Sequence, residues 1–358
     1  MDLRSLPRVR HHQRRIPLLS HHMSALAVVV GVIVNGAGEV LLAKRAAHQH
    51  QGGLWEFPGG KLEAGEAPIA GLWRELHEEL GIAVVAAEPL IQIHHTYPDK
   101  SVLLDVFRVN QFDGVAEGRE GQPLEWVKLG ELDRYPLPAA NRPILQALML
   151  PRQLCISGAA ATPQLWLKQF ALSLQPGRVM LARPHSPEQL GWPWGELMTA
   201  ALALCESHNI GENHNTRLML HSSLLSAIAP GFHQLTSQAQ ETLLRQYCHG
   251  LHLTAVAAQG PVSIPAGLML GMSCHDAQEL ELACALQCHY ALLSPVQPTQ
   301  THPGAAALGW SEWARLSRLA KLPVFALGGV DQRHLGLAVS LGAQGVAGIG
   351  GFWSRDCP

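Results

Sequence analysis

The stretch that decides the fold of the first half of the chain is residues 60–82, which read GKLEAGEAPIAGLWRELHEELGI. Pro68 suits the first turn of a helix, where no backbone hydrogen bond is lost, and Gly81 is a typical residue at a helix end. Between them, apolar residues recur at spacings of three and four, as on the buried face of an amphipathic helix. The sequence therefore predicts a helix over residues 67–80. Its apolar stripe consists of Ile69, Leu72, Trp73, Leu76 and Leu80.

A second face of this helix is acidic. Glu75, Glu78 and Glu79 stand at positions i, i+3 and i+4, so their carboxylates lie close together and repel one another. Arg74 offsets only part of that charge. A bound divalent cation would neutralise the cluster, and oxygen ligands of this kind suit Mg²⁺. The alternative is an ordinary solvated acidic face. The glycines that bracket the helix favour the cation, because such turns bring backbone close to a bound group such as phosphate.

Strand patterns surround the helix. A β-branched run at 25–34 and a second run at 39–44 flank a turn that reads NGAG, which is typical of a β-hairpin. More strand patterns follow the helix, and a last helix closes the unit before Pro151, which marks a boundary. These strands fall at 91–97, 102–109 and 124–128, and the last helix falls at 142–150.

After Pro151, short apolar runs alternate with helical stretches. Strands that alternate with helices indicate parallel βα units, and eight of them in about 200 residues fit a compact (β/α)8 barrel. The sequence therefore predicts an α/β protein of two domains, at 23–150 and 153–353. The eight runs are 154–157, 179–182, 218–220, 250–253, 268–271, 290–294, 324–327 and 345–349.

Composition limits what the chain can do. It has 358 residues, a net charge of −2 and 47% hydrophobic residues, which is a globular composition. Its longest apolar run, 25–34, is half of the roughly 20 residues that a membrane-spanning helix needs, so we expect no membrane insertion. Residues 23–150 hold 16 acidic against 10 basic side chains. An acidic domain repels the phosphates of nucleic acid, so we expect no stable nucleic-acid binding.

The cysteines and the first 22 residues indicate the cellular compartment of the protein. All seven cysteines lie in the second half, in an odd number and without a CxxC pair, which favours reduced thiols in the cytoplasm. Residues 1–22 are basic and rich in histidine but lack an apolar segment, so they do not read as a secretory signal. We expect them to be a disordered leader, or Met23 to be the true first residue.

Residues 60–82 match the Nudix box, G-x5-E-x7-R-E-U-x-E-E-x-G-U, where U is aliphatic, without a departure. The resemblance extends over about residues 25–150 to the MutT-type 8-oxo-dGTP diphosphatases, through KRA at 44–46, WEFPGGK at 55–61, YPD at 97–99, EGQP at 120–123 and PAAN at 138–141. It implies an α/β/α sandwich around a mixed sheet. The box residues are Gly60, Glu66, Arg74, Glu75, Leu76, Glu78, Glu79, Gly81 and Ile82.

The same resemblance implies a site and a reaction. The family hydrolyses nucleoside triphosphates at the β-phosphorus with Mg²⁺, for which Mn²⁺ is the alternative, and releases pyrophosphate. Glu75 or Glu120 would take the proton from the attacking water, and Arg74 would orient a glutamate or stabilise the helix. The implied metal residues are Gly59, Glu66, Glu78, Glu79 and Glu120, and the implied substrate residues are Arg45, Phe57, Gly60, Lys61, Tyr97, Lys100 and Asn141.

Two of these assignments have plain alternatives, and one position departs from the family. In the family the residue aligned with Asn141 hydrogen-bonds the oxidised guanine, but Asn141 could instead cap the last helix. Glu120 could be a simple turn residue. Lys100 stands where an arginine is expected, which weakens stacking on the base because lysine lacks a planar head.

The second half resembles the thiamin-phosphate synthase/TenI family over about residues 153–353. The matching stretches are GLHL at 250–253, GMSCH at 271–275, SPVQPT at 294–299 and GA at 342–343, together with a glycine pair at 328–329. The resemblance implies a thiazole or thiamin phosphate as ligand and His275 as a tautomerase acid/base. A buried structural histidine is the alternative. Phosphate would be held by Ser273, Gly328, Gly329, Gly350 and Gly351.

Departures from that family argue against thiamin-phosphate synthase activity. The Asn-Asp that holds Mg²⁺ in active synthases is replaced by His221-Ser222, and residues 254–261 contain no acid. Arg-x-Lys becomes Arg183-Pro184-His185, and the lysine after Pro-Thr becomes His302. A diphosphate leaving group then lacks its charge partners.

From the sequence we therefore expect a magnesium-dependent 8-oxo-dGTP diphosphatase that protects DNA replication, in the manner of DNA repair, by cleaning the nucleotide pool. A barrel of TenI type follows it. The rival hypotheses are hydrolysis of another pyrophosphate, such as a thiamin-pathway compound, and a sensor whose barrel binds a phosphate ligand and regulates the hydrolase.

Overall fold

The computed structural model describes residues 25–46, 51–97, 100–209, 216–260, 267–299, 304 and 306–354, with the side chain of His233 excepted. The expectations for residues 1–22, Pro98, Asp99 and His302 lie outside these residues. In the first half the strands are β1 (Leu26–Ile33), β2 (Glu39–Lys44), β3 (Trp55–Glu56), β4 (Ala83–Thr96), β5 (Ser101–Asp113) and β6 (Leu124–Lys128), and the helices are α1 (Pro68–Leu80) and α2 (Arg142–Met149).

Two three-stranded sheets form the body of this half. In the first sheet β5 pairs in parallel with β1 and antiparallel with β4. In the second, β2 pairs antiparallel with β3 and with β6. Strand β1 alternates its side chains between two layers, as a strand buried on both faces must. Val29 and Ile33 pack with α1, and Val30 and Val32 pack in the cluster that contains α2. The expected α/β/α sandwich with a mixed sheet is confirmed.

Two expectations about the strands were wrong. The runs at 25–34 and 39–44 do reverse around Asn35, but they share only an isolated bridge between Val34 and Val40, and β1 and β2 then enter different sheets. Strand β4 begins at Ala83, well before residue 91. The register of β4 on β5 shifts around Pro89, since proline cannot donate to the ladder, and this break hides the first half of the strand in the sequence.

The second half contains eight parallel strands that close into a barrel in the order β10-β11-β12-β13-β14-β7-β8-β9. The predicted barrel is thereby confirmed. The strands are β7 (Gln153–Ile156), β8 (Val179–Ala182), β9 (Arg217–His221), β10 (Gly250–Leu253), β11 (Met269–Cys274), β12 (Tyr290–Leu293), β13 (Val324–Leu327) and β14 (Gly345–Gly348). The helices are α3 (Pro163–Ser173), α4 (Pro187–Leu190), α5 (Trp194–His208), α6 (Leu225–Ile228), α7 (Ser237–Leu244), α8 (Ala255–Ala258), α9 (Ala277–Ala285), α10 (Gly309–Ser317) and α11 (Leu335–Ser340).

Alternate residues of the barrel strands fill its interior. One buried cluster contains the inward side chains, among them Ile156, Met219, Tyr290 and Phe325, and a larger one lies between the strands and the helices. Such a barrel is a packed core, and ligands bind only at its carboxyl end. Within the described residues, no helix has the length and apolarity to cross a membrane, and the six described cysteines are free thiols.

Candidate active site

Helix α1 presents the acidic face because its opposite face is buried. Leu72, Leu76 and Leu80 are fully buried against β1 and β5. The helix ends at Gly81, whose φ of 73° is left-handed and whose N–H donates to the carbonyl of His77 at 3.0 Å. Glycine adopts this conformation without the penalty of a Cβ. These contacts fix the rotation of α1 and turn its glutamates toward the glycine-rich segment at 58–60.

Arg74 organises most of the acidic side chains. Its Nε and Nη2 donate to the two carboxylate oxygens of Glu66 at 2.9 and 2.8 Å. Its Nη1 donates to Glu75 at 2.9 Å and to Glu78 at 3.3 Å, and Nη2 also reaches the carbonyl of Lys61 at 3.1 Å. The hydrogen bond from Arg74 lowers the pKa of Glu66 to about 2. Arg74 therefore makes the bidentate glutamate contact that the sequence suggested, and the role of Glu66 as a metal ligand stays a prediction.

Glu79 differs from the other glutamates of the acidic face, because the described residues supply it with no cation. Its Oε2 accepts a hydrogen bond from the N–H of Gly59 at 3.2 Å. Burial, together with the negative charges of Glu120, Glu56 and Glu75, raises its pKa to about 8 although the hydrogen bond from Gly59 lowers it. A carboxylate held among three others gains most from a bound cation, since neighbouring negative charges disfavour its ionised form.

The two glycines before α1 allow this close approach. At Gly59 the φ is 146°, and a Cβ would lie 2.1 Å from the carbonyl oxygen of Val29. At Gly60 a Cβ would lie 2.1 Å from the Oε2 atom of Glu75. On this side of the acidic face the chain therefore presents glycine backbone and no side chains, as the sequence suggested.

The chemistry of these side chains fits Mg²⁺, which prefers hard oxygen ligands at one or two carboxylates. The fit rests on Glu79, whose charge no cation from the described residues balances. Within the same residues, however, no group of three or more acidic, histidine or cysteine side chains is arranged to hold a metal ion. Arg74 accounts for this, because its hydrogen bonds hold Glu66, Glu75 and Glu78 in the arrangement seen here.

Glu120 lies near Glu79 although it is distant in sequence. It is exposed in the turn before β6, and its N–H donates to the side chain of Gln122 at 2.8 Å. Gln122 in turn donates to the carbonyl of Glu79 at 3.1 Å. This turn therefore brings Glu120 to the acidic face of α1.

Glu56 is a member of the site that the sequence analysis missed. Burial raises its pKa, the charge of Arg45 lowers it, and its own charge acts on Glu79. Arg45 pairs with Glu56 rather than pointing free into a pocket. Its place within the WEFPGGK stretch was the signal that could have identified Glu56.

The remaining predicted substrate residues lie around the same half of the domain. Phe57 is buried in the core that contains α2, and Lys61 bridges to Val28 of β1. Tyr97 and Lys100 lie at the ends of β4 and β5, and the ring of Tyr97 meets His95 edge-on with centroids 4.4 Å apart.

Asn141 is the most informative of these substrate residues. Its side chain is only 7% exposed, it stands at the start of α2, and it makes no capping hydrogen bond there. The plain alternative that Asn141 caps the last helix is therefore wrong. A buried amide has up to four hydrogen-bonding positions to satisfy, and the side chain of Asn141 uses none of them to cap α2.

The barrel has a polar inner layer at the carboxyl ends of four neighbouring strands, contributed by Arg183, His221, His252 and Ser273. His252 is fully buried, with Nε2 2.9 Å from the hydroxyl of Ser273 and Nδ1 3.1 Å from that of Tyr290. The sequence predicted Ser273 as a phosphate-binding residue and showed Arg183 and His221 only as departures from the synthase pattern, so the layer was not predicted as a unit.

Burial and the positive charge of Arg183 both disfavour protonation of His221 and His252 in this layer. Burial, together with the charges of Arg183 and His185, lowers the pKa of His221 to about 4. Burial, His221 and Arg183 likewise lower the pKa of His252.

His275 lies apart from that layer. It follows β11, its side chain is exposed, and its Nδ1 lies 2.9 Å from a carboxylate oxygen of Glu279 on α9. Gly328 and Gly329 have φ of 91° and 69° and pack against the segment 295–298. Gly350 and Gly351 follow β14.

Comparison with known proteins defines the class. A family model described as NUDIX domain matches residues 29–147, and one described as thiamine monophosphate synthase matches residues 239–352. The 8-oxo-dGTP diphosphatase of Escherichia coli K12 is 37% identical over 126 residues, which cover 35% of this chain and 98% of that relative. The CTP pyrophosphohydrolase of the same strain is 39% identical over 121 residues, 34% of this chain and 90% of that relative.

Solved structures match each half. A MutT structure from work on Aliivibrio salmonicida and Vibrio cholerae is 39% identical, covers 35% of this chain and 96% of its own, and has a TM-score of 0.31. Thiamine phosphate pyrophosphorylase from Pyrococcus furiosus is 16% identical, covers 59% of this chain and 88% of its own, and has a TM-score of 0.38.

The chain belongs to the Nudix family. Its first half is, more particularly, a Nudix hydrolase of the MutT 8-oxo-dGTP diphosphatase type, and the second half is a TenI-like barrel fused to it.

Proposed function

We propose that the Nudix domain hydrolyses 8-oxo-dGTP to 8-oxo-dGMP and pyrophosphate, and that it does so with Mg²⁺. The observation that carries the proposal is Asn141, a buried amide that makes no capping bond. A site that hydrogen-bonds a substrate group rejects analogues without it, because the buried partner is then left unpaired. The 8-oxo form of guanine carries an extra carbonyl and an extra ring N–H, which an amide can recognise through both its donor and its acceptor.

The proposed chemistry follows from the charges. When bound, Mg²⁺ supplies charge neutralisation of the triphosphate and polarisation of its phosphoryl group. Glu79 and Glu78 would hold it together with Glu66 and the carbonyl of Gly59, which leaves Glu120 for the proton. Of the two candidate bases, Glu75 accepts a hydrogen bond from Arg74, whereas the carboxylate of Glu120 accepts none from the described residues. The freer carboxylate is the better acceptor for a proton from water.

The test is the Mg²⁺-dependent loss of 8-oxo-dGTP, dGTP, CTP, an ADP-sugar and thiamin diphosphate at equal low concentration. Substrate loss is followed by chromatography, because cleavage of the pyrophosphate bond in the last two compounds releases no pyrophosphate. We expect a strong preference for 8-oxo-dGTP that Asn141→Ala reduces by roughly 5- to 150-fold, the equivalent of one buried hydrogen-bonding group, about 1–3 kcal/mol. Preference for thiamin diphosphate would instead support the thiamin-pathway hypothesis, and equal rates on all substrates would overturn the proposed specificity.

For the barrel, we propose that His275 acts as the acid/base of a thiazole tautomerase on a phosphorylated ligand. The carboxylate of Glu279 beside Nδ1 supports the proposal, since such a partner fixes the tautomer of a working histidine. His275→Ala should abolish tautomerisation of thiazole phosphate, followed by NMR, and leave pyrophosphate release unchanged. A change in nucleotide hydrolysis on adding thiazole phosphate or thiamin phosphate would favour the sensor hypothesis instead.

A further inference from the structure

The two halves meet through a buried glutamine. Gln344 belongs to the barrel, immediately before β14, and is 2% exposed. Its Nε2 donates to three carbonyl groups at the end of α2 in the Nudix domain. These are the carbonyls of Ala147 and Leu150 at 3.1 Å each and of Pro151 at 3.3 Å. The last carbonyls of a helix have no partner within the helix, and here the other domain supplies one.

Other contacts tie the same helix to the same end of the barrel. Arg142, the first residue of α2, donates to Gln287 at 3.2 Å, and Gln146 donates to the carbonyl of Cys288 at 3.4 Å. Leu150 packs into the apolar cluster inside the barrel. Helix α2 is thus held by the barrel at its beginning, middle and end.

A second element of the Nudix domain is tied in the same way. Arg152 donates to the carbonyl of Pro89 at 2.7 Å and of Leu90 at 3.5 Å in β4, and to the carbonyl of Gln344 at 3.0 Å. Strand β4 leads to Tyr97. The barrel therefore contacts both segments that carry the proposed base-binding residues, and Asn141 directly precedes Arg142.

We propose that the barrel positions the base-binding segment of the Nudix domain, with Gln344 as the positioning residue. The inference rests on the proposed function for the role of Asn141. Gln344 touches neither substrate nor metal. It acts through α2, whose displacement would move Asn141 relative to the base. A misplacement of about 1 Å by a change far from the chemistry can cost roughly 100-fold in kcat/KM. Here the misplaced group binds the base and not the reacting atoms, so the loss falls on KM.

The test uses the full chain with Mg²⁺ and the variant Gln344→Leu. We expect the KM for 8-oxo-dGTP to rise roughly 10- to 100-fold and the preference over dGTP to fall alongside it, with kcat nearly unchanged. Hydrogen exchange of amides in residues 139–149 should accelerate. If the wild-type protein shows no preference for the oxidised base, the proposed function fails, and the KM for the nucleotide that it hydrolyses best then tests Gln344.

Gln240→Leu is the matched control. Gln240 is a buried glutamine of the same barrel whose Nε2 donates to the carbonyl of Phe232 at 3.0 Å, and its contacts do not include α2. It should lose stability as Gln344→Leu does while KM and preference stay at wild-type values. If both variants lose stability but neither changes KM, Gln344 is only structural and the proposal is overturned.

A milder variant covers the case in which Gln344→Leu does not fold. Gln287→Asn shortens the partner of Arg142 by one methylene at an exposed position, and asparagine tolerates the φ of 56° found there. It should shift KM in the same direction by a smaller factor. An unchanged KM and an unchanged preference in that variant would also overturn the proposal.

Discussion

The carboxylate of Glu79 accepts a hydrogen bond from the backbone N–H of Gly59, 20 residues earlier in the chain. This contact joins the glycine segment to the acidic helix and places one carboxylate where burial and three like charges raise its pKa to about 8. It identifies Glu79 as the position where a bound cation would relieve the most unfavourable charge.

Replacement of Glu79 by glutamine should separate catalysis from stability. Glu79→Gln keeps an oxygen for the N–H of Gly59 but removes the negative charge. We expect Mg²⁺-dependent hydrolysis to fall roughly 100-fold or more, the scale of losing a preorganised electrostatic contact. Without metal the unfolding temperature should be equal or higher, because the variant no longer buries a carboxylate. Near-normal turnover in this variant would remove the metal assignment.

Arg74→Lys should reduce turnover without changing nucleotide affinity. The guanidinium of Arg74 holds Glu66 with two parallel hydrogen bonds and also reaches Glu75, and a lysine ammonium cannot make this planar contact. We expect kcat to fall roughly 10- to 100-fold, as for other residues that orient metal ligands, with KM nearly constant. Steady-state kinetics at saturating Mg²⁺ measure this, and a wild-type kcat would show that lysine suffices.

Gly60→Ala should displace Glu75. The new methyl group would lie 2.1 Å from Oε2 of Glu75, and a side-chain end moves more easily than backbone. Hydrolysis should therefore fall while the free energy of unfolding changes by only about 0.5 kcal/mol, the usual range for a substitution away from the core. Gly130→Ala is the control, because a methyl group added there would meet none of the described residues within 4 Å. Equal activity of the two variants would show that Glu75 need not occupy this place.

His221→Asn should make the barrel less sensitive to acid. The folded pKa of His221 is lowered from 6.5 to about 4, so between these values the unfolded chain binds the proton and the folded protein does not. Stability from this residue is therefore present above pH 6.5 and is lost as pH falls toward 4. The loss amounts to about 3 kcal/mol at most, less where solvent reaches the ring. Urea unfolding midpoints at about pH 7 and pH 5 measure it, and equal pH dependence in both proteins would contradict it.

Local signals in the sequence predicted the elements but not all of their partners. Pro68, Gly81 and the leucines between them define α1 without help from the rest of the chain. The alternation of apolar and helical stretches likewise located all eight barrel strands. The pairing of β1 with β5 was missed, because Leu26 meets Val102 across a separation that no local turn encodes.

The site shows the same limit. The Nudix box fixes which glutamates share a helix face, but Glu56 and Glu120 reach that face only through folding. The polar layer of the barrel contains one residue from each of several strands, so no regular spacing in the sequence predicts it. Contacts such as that of Gln344 with Ala147 depend on how the two domains pack. Local patterns in a single sequence do not predict this packing.

The contacts between the two halves determine whether a product can pass directly from one site to the other. Gln287, Cys288 and Gln344 each precede a barrel strand, so the Nudix domain covers the amino-terminal end of the barrel. Barrels of this kind receive ligands at the other end, and here the interior between the ends is filled by side chains. No tunnel through the described part of the barrel connects one site to the other. Along that axis the described residues therefore leave no route for an intermediate between the two sites.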